Sequence, residues 1–162
     1  MGKGTQTASW LGEHSSAIDL RRSIDDRTAQ RIVARADWLS EPDRSLVLAV
    51  FGQGLSASAV ARLRGEEPRL VRRRVARAAA RVLDPRAAYV GARADAWPSA
   101  RACVARAIFH HGCTLRETAA REGVSLHTVR VHRDAIEGMF ESERDLLRRG
   151  SDAPDTPDRS WR

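Results

Sequence analysis

Nine arginines lie between positions 62 and 86: Arg62, Arg64, Arg69, Arg72, Arg73, Arg74, Arg77, Arg81 and Arg86. Only Glu66, Glu67 and Asp84 oppose them, so this stretch carries an excess of six positive charges in a chain of net charge +7. Lys3 is the only lysine. A guanidinium presents a planar fork of donors that matches phosphate oxygens and the O6/N7 edge of guanine. A GC-rich genome favours arginine over lysine everywhere, but it does not explain the clustering. A basic patch concentrated on about two helices is the electrostatic footprint of a nucleic-acid binder.

Two other sets of residues invite chemistry and do not support it. Cys103, His110, His111 and Cys113 are zinc-ligating types. Their spacing gives neither a CxxC nor an HxxxH pair, so no metal site is expected. Cys103 reads instead as a small buried residue, and the two histidines as helix-end residues before Gly112. There is no serine in a nucleophile elbow, no glycine-rich phosphate loop and no isolated pair of carboxylates, so the chain is expected to have no catalytic residues and no cofactor. The longest apolar runs, such as Leu46 to Phe51, are far too short to span a bilayer, and the first residues lack a signal-peptide core. With only two cysteines, the reading is a cytoplasmic, nucleoid-associated protein with no membrane partner.

The elements that must position the arginines are helices. Ala, Leu, Arg and Glu dominate, and alternating β-branched runs are absent. The fold class is therefore all-α. Residues 1–37 are assigned to a loose N-terminus and a leading helix from about Ser16 to Leu39. Beyond them the chain repeats itself at an offset of 58 residues. Ala49, Phe51, Gly54, Ala61, Gly65, Val71 and Arg72 fall on Ala107, Phe109, Gly112, Ala119, Gly123, Val129 and Arg130, and Val50 falls on Ile108. The organisation is a first three-helix unit at 38–84, a linker at 85–97 that forms a short helix or an ordered connection, and a second unit with an extended last helix at 98–149. A disordered tail at 150–162 holds Asp152, Asp155 and Asp158 with Pro154 and Pro157. Trp38 and Trp97 precede the units and read as core staples, whereas Trp10 and Trp161 lie in the loose ends.

Within each unit a first helix ends at Gly54 or Gly112. A short helix capped by Ser56 or Thr114 then ends at Gly65 or Gly123, and a longer one starts near Pro68 or after Ser125. This is a helix-turn-helix pattern. Gly54-Leu-Ser-Ala-Ser-Ala-Val-Ala-Arg-Leu-Arg-Gly65, followed by Leu70-Val-Arg-Arg-Arg-Val75, resembles region 4 of bacterial RNA polymerase sigma factors. Gly112-Cys-Thr-Leu-Arg-Glu-Thr-Ala-Ala-Arg-Glu-Gly-Val-Ser125 with Thr128-Val-Arg-Val-His132 is similar to the same region and to the DNA-binding domain of LuxR-type regulators. Glu66-Glu67-Pro68 and Arg133 depart from the pattern, and residues 1–37 are too few for sigma region 2, so a complete sigma factor is not expected. The resemblance implies double-stranded DNA as partner. It makes Arg69, Arg72, Arg73 and Arg77 the candidate contacts of the first recognition helix, with Arg74 facing either way. His127, Thr128, Arg130 and Arg133 are those of the second. The competing implication is an adaptor or decoy that binds RNA polymerase or a regulator through one or both units.

Overall fold

The computed structural model describes residues 24–151. The protein is all-α: eight α-helices and no strand occur among the described residues. The chain divides into two compact units, Met1–Leu83 and Asp84–Arg162.

In the first unit, α1 (Asp26–Ala34) starts at Asp25, whose carboxylate accepts the Thr28 N–H at 2.8 Å. A 3-10 turn (Ala36–Trp38) leads to α2 (Asp43–Val47), which widens into a π-helical turn (Leu48–Gly52). Gly54, at φ +73°, reverses the chain. Ser56 then caps α3 (Ala57–Arg64) by accepting the Ala59 N–H at 3.1 Å, and Gly65 ends that helix in the left-handed conformation. The longest element of the unit, α4 (Pro68–Leu83), receives α1, α2 and α3 on one side. The pattern that orients α4 is local. Val71, Val75, Ala78 and Val82 recur every three or four residues, so they share one helix face and all are buried. They meet Ile32, Leu46, Val47, Val50, Phe51, Val60 and Ala61 in one core.

The second unit repeats the route. Asp84 caps α5 (Pro85–Arg93), a 3-10 turn (Ala94–Ala96) follows, and α6 (Ser99–Ala105) widens into a π-helical turn (Arg106–His110). Gly112 sits at φ +73°. Thr114 and Glu117 close the expected capping box on α7 (Leu115–Glu122), with Thr114 accepting the Glu117 N–H at 3.2 Å and Glu117 accepting the Thr114 N–H at 2.7 Å. Gly123 at φ +65° ends α7, and Ser125 accepts the Thr128 N–H at 3.0 Å to start α8 (Leu126–Ser151). Gly138 does not interrupt α8, because one glycine costs only about 1 kcal/mol in a helix of 26 residues.

One feature differs from the sequence reading. The leading helix is not continuous from Ser16 to Leu39: α1 begins at Asp26 and the chain turns at Arg35, which leaves Leu39 buried and Trp38 half-buried under the Arg35 guanidinium, 5.0 Å from the ring centroid. Trp97 packs against the core cluster of the second unit. Segment 85–97 takes the first of its two expected forms, a short helix, followed by a 3-10 turn, and it falls within the second unit. The expected tail, the first part of the leading helix, Trp10 and Trp161 lie outside the described residues.

Candidate nucleic-acid interface

The arginines of α4 divide according to helix geometry. Arg74 and Arg81, seven positions apart, turn back to the body of the unit. Arg74 bonds Glu66 at 3.0 Å and pairs with Asp43 at 3.5 Å, while Arg81 reaches the other oxygen of Asp43 at 3.4 Å. Arg69, Arg73 and Arg77 recur every fourth residue on the face opposite the buried valines, flanked by Arg74 and Arg81, and all three are exposed. Among the described residues none of them has an acidic partner. They form an outward stripe about 12 Å long. Arg72 is half-buried beside this stripe, and its Nε donates to the Pro68 carbonyl at 3.3 Å.

Of the two acids of the turn, Glu66 is compensated within the unit, whereas Glu67 is exposed and makes no ion pair among the described residues. Glu66 departs from the expected motif, yet its carboxylate is held by Arg74 and lies 3.8 Å from Arg64, so its charge is met within the unit. Pro68 occupies the first turn of α4, where a missing N–H costs nothing, and the Glu67 carbonyl accepts from Leu70 and Val71. Sequence reasoning missed Arg62 near the end of α3, which is also exposed with no acidic partner among the described residues. Its signal was present in the arginine count but not in the helix-turn-helix pattern.

On α8 the candidates separate. His127 and Arg130 are exposed, and Arg130 has no acidic partner among the described residues. Thr128 is half-buried; its hydroxyl lies 2.8 Å from the Ser125 hydroxyl, so it completes the cap as well as facing outward. Arg133 is half-buried and holds Asp134 through two bonds of 2.7 and 3.0 Å. The structure therefore brings His127 and Arg130 to an open surface and gives Thr128 and Arg133 partners of their own. Two further residues were missed. Arg116, in the first turn of α7, is exposed and has no acidic partner among the described residues, and Val131 stands between Arg130 and Asp134 with half its surface open.

The cysteine and histidine set resolves into separate contacts. Among the described residues no group of three or more His, Cys, Asp or Glu side chains is arranged to hold a metal. Cys103 is exposed, contrary to the expectation that it is buried, because the inward positions of α6 fall at Ala102, Val104 and Ala105. The histidines stand at the helix end before Gly112, as expected: His110 closes the π-helical turn and His111 is its C-cap. His110 is buried and donates from Nε2 to the Ala87 carbonyl at 2.9 Å, which ties the π-helical turn after α6 to α5. Burial, with His111 and Arg106 nearby, outweighs that hydrogen bond and keeps the His110 pKa below its ordinary value. The His111 Nδ1 accepts from Arg121 at 2.8 Å.

The arrangement can grip an anionic polymer through an uncompensated guanidinium stripe and can present a short mixed surface of imidazole, guanidinium and methyl groups. The chain matches no family model, no curated protein and no solved structure. No helix among the described residues is long and apolar enough to cross a membrane.

Proposed function

We propose that the protein is a sequence-specific regulator that binds duplex DNA with α4 and α8, each lying in a major groove. The observation that carries this reading is the sorting of arginines on α4. Those with partners face the body of the unit, and those without form one exposed stripe on the second helix of a helix-turn-helix. A solvated surface helix gains from neutralising its charges by neighbours three or four positions away, and α4 places no acid within reach of Arg69, Arg73 or Arg77. Arginines so placed contact phosphates and guanine edges, while the capped start of α8 directs His127 and Arg130 at base edges. The resemblance to sigma region 4 and to LuxR-type domains supports the same assignment.

The test is selection of bound sequences from a random duplex pool at moderate salt. A sharply enriched motif is the expected result, and its absence would contradict the reading. One observation favours a second reading for the first unit. Leu63, 78% exposed, and Leu70 lie open among the arginines, a mixture that suits an acidic, apolar protein surface such as RNA polymerase or a regulator presents. Retained capture of a protein partner by a chain that enriches no duplex would support that adaptor role.

A further inference from the structure

At matching places on the two long helices the outward residues differ in kind. Arg69, Arg73 and Arg77 of α4 fall at the 58-residue offset on His127, Val131 and Ala135 of α8. A charged stripe is replaced by an imidazole and two aliphatic groups. Val131 is the unusual member. It is 51% exposed, and it stands two residues from Val129, which is fully buried. Two residues on a helix are separated by about 200°, so only one of this pair can serve the core. Val131 therefore stands outside the buried core of the unit. A β-branched residue also lowers helix propensity slightly, and an exposed helical position gives no return for that cost.

Its neighbours place it on the same face as the candidate base readers. His127, Arg130, Val131 and Asp134 follow the i, i+3, i+4, i+7 pattern and all four are exposed. Asp134, the one acid of the stripe, is held by Arg133 at 2.7 Å, so its charge is compensated. The stripe thus offers a methyl pair flanked by a cation and an imidazole, in the first two turns of a helix whose start is capped by Ser125. In the major groove the thymine C5-methyl is the apolar feature of the base edges, and side-chain methyl groups recognise it by contact.

We infer that Val131 is a specificity-determining residue of the second unit and contacts the C5-methyl of a thymine, so that this unit reads an A·T pair where the first unit grips phosphate or guanine. This rests on the duplex-binding reading above. The test uses the full chain and a duplex taken from the random-pool selection. Each thymine in turn is replaced by deoxyuridine, which keeps base pairing and removes only the methyl group. Replacement at one position should weaken binding about fourfold, the factor that one buried methylene-sized group is worth. Val131→Ala should bind the thymine duplex about as weakly as the wild type binds the uridine duplex. The variant should also be indifferent to the replacement, since the two changes remove the same interaction. Alanine at an exposed helical position keeps the fold, which unchanged helicity verifies. Wild-type indifference to every replacement, a selected site with no thymine, or unaltered sensitivity in Val131→Ala would each overturn the inference while leaving duplex binding in place. Failure to select any duplex would contradict the DNA reading itself, and this inference with it.

Discussion

The two units share a backbone route and divide their side chains differently. In the first, α4 fills its inner face with Val71, Val75, Ala78 and Val82, and its outer face holds three arginines without partners among the described residues. In the second, Val129 and Ile136 are the fully buried aliphatic residues of α8, and the position of Val75 is taken by Arg133. The missing apolar volume is supplied from elsewhere. Tyr89 stacks near Trp97 and Phe140, at 5.7 and 5.6 Å between centroids, and the buried Thr118 and His110 stand where the first unit has Val60 and Gly52. Thr118 donates to the Thr114 carbonyl and His110 to that of Ala87, so both polar groups enter the interior satisfied. The backbone pattern of caps and left-handed glycines is thus the invariant part. Core chemistry and outer-face chemistry vary around it, which is how one supersecondary unit comes to present a charged surface in one copy and a mixed surface in the other.

The largest effect separating the units lies in salt dependence. If about six phosphates are engaged, raising salt from about 50 to 200 mM should weaken duplex binding on the order of a thousandfold. Arg69→Ala, Arg73→Ala and Arg77→Ala together should flatten the log–log slope by nearly one unit for every phosphate no longer neutralised. A steep slope that survives the triple change would move the electrostatic contact away from the first unit.

Core changes come next. Ile136→Ala should cost about 3 kcal/mol in chemical denaturation, because the second unit lacks the valines that surround the equivalent Ala78 in the first. A loss below about 1 kcal/mol would mean that the aromatic cluster carries this core without Ile136. The turn glycines should respond alike in both units. Nothing lies within 4 Å of a Cβ built on Gly65 or Gly123, so Gly65→Ala and Gly123→Ala should each cost only the left-handed backbone penalty, about 1–2 kcal/mol. Unequal costs in thermal unfolding would show that the turns are less equivalent than their φ values of +66° and +65° indicate.

The smallest effect is a pH response confined to the second unit. The lowered pKa of His110 means that the unfolded chain takes up its proton first as pH falls below about 6.5. The stability from the neutral, buried His110 is therefore complete above that pH and declines as the medium becomes more acid. Asp25 and Glu117 also have lowered pKa values, set chiefly by backbone N–H groups, but they act only in the more acid carboxylate range. Melting followed between about pH 7.5 and 5.5 should show the decline, and His110→Gln should remove it. A decline unchanged in that variant would assign it to another group.

Much of the fold was legible in the sequence because turns have strict chemistry. Gly54, Gly65, Gly112 and Gly123 all adopt the positive φ that glycine permits, and the Ser56, Thr114 and Ser125 caps fall at the helix starts their residue types imply. The extent of the repeat was less visible. Ala34-Arg35-Ala36-Asp37 recurs as Ala92-Arg93-Ala94-Asp95 at the same 58-residue offset, so the leading helix and the supposed linker are counterparts. The match breaks one residue later, where Trp38 and Trp97 are 59 apart, and the helices before it share few side chains. Which arginines remain without partners was not legible, because it depends on Asp43 meeting Arg74 and Arg81 across 31 and 38 residues of chain. Nor did composition separate Val131 from Val129, since only the angular register of α8 distinguishes them.

The claim that both long helices face DNA with different tasks is tested most directly by two double variants on two duplexes. Arg69→Ala with Arg73→Ala should weaken binding to the selected duplex and to a scrambled one by similar factors. His127→Ala with Arg130→Ala should cost about 1–3 kcal/mol per base contact on the selected duplex and much less on the scrambled one. If the first pair abolishes site preference while the second leaves it intact, the assignment of tasks is reversed. If neither pair alters binding to either duplex, α4 and α8 are not recognition helices.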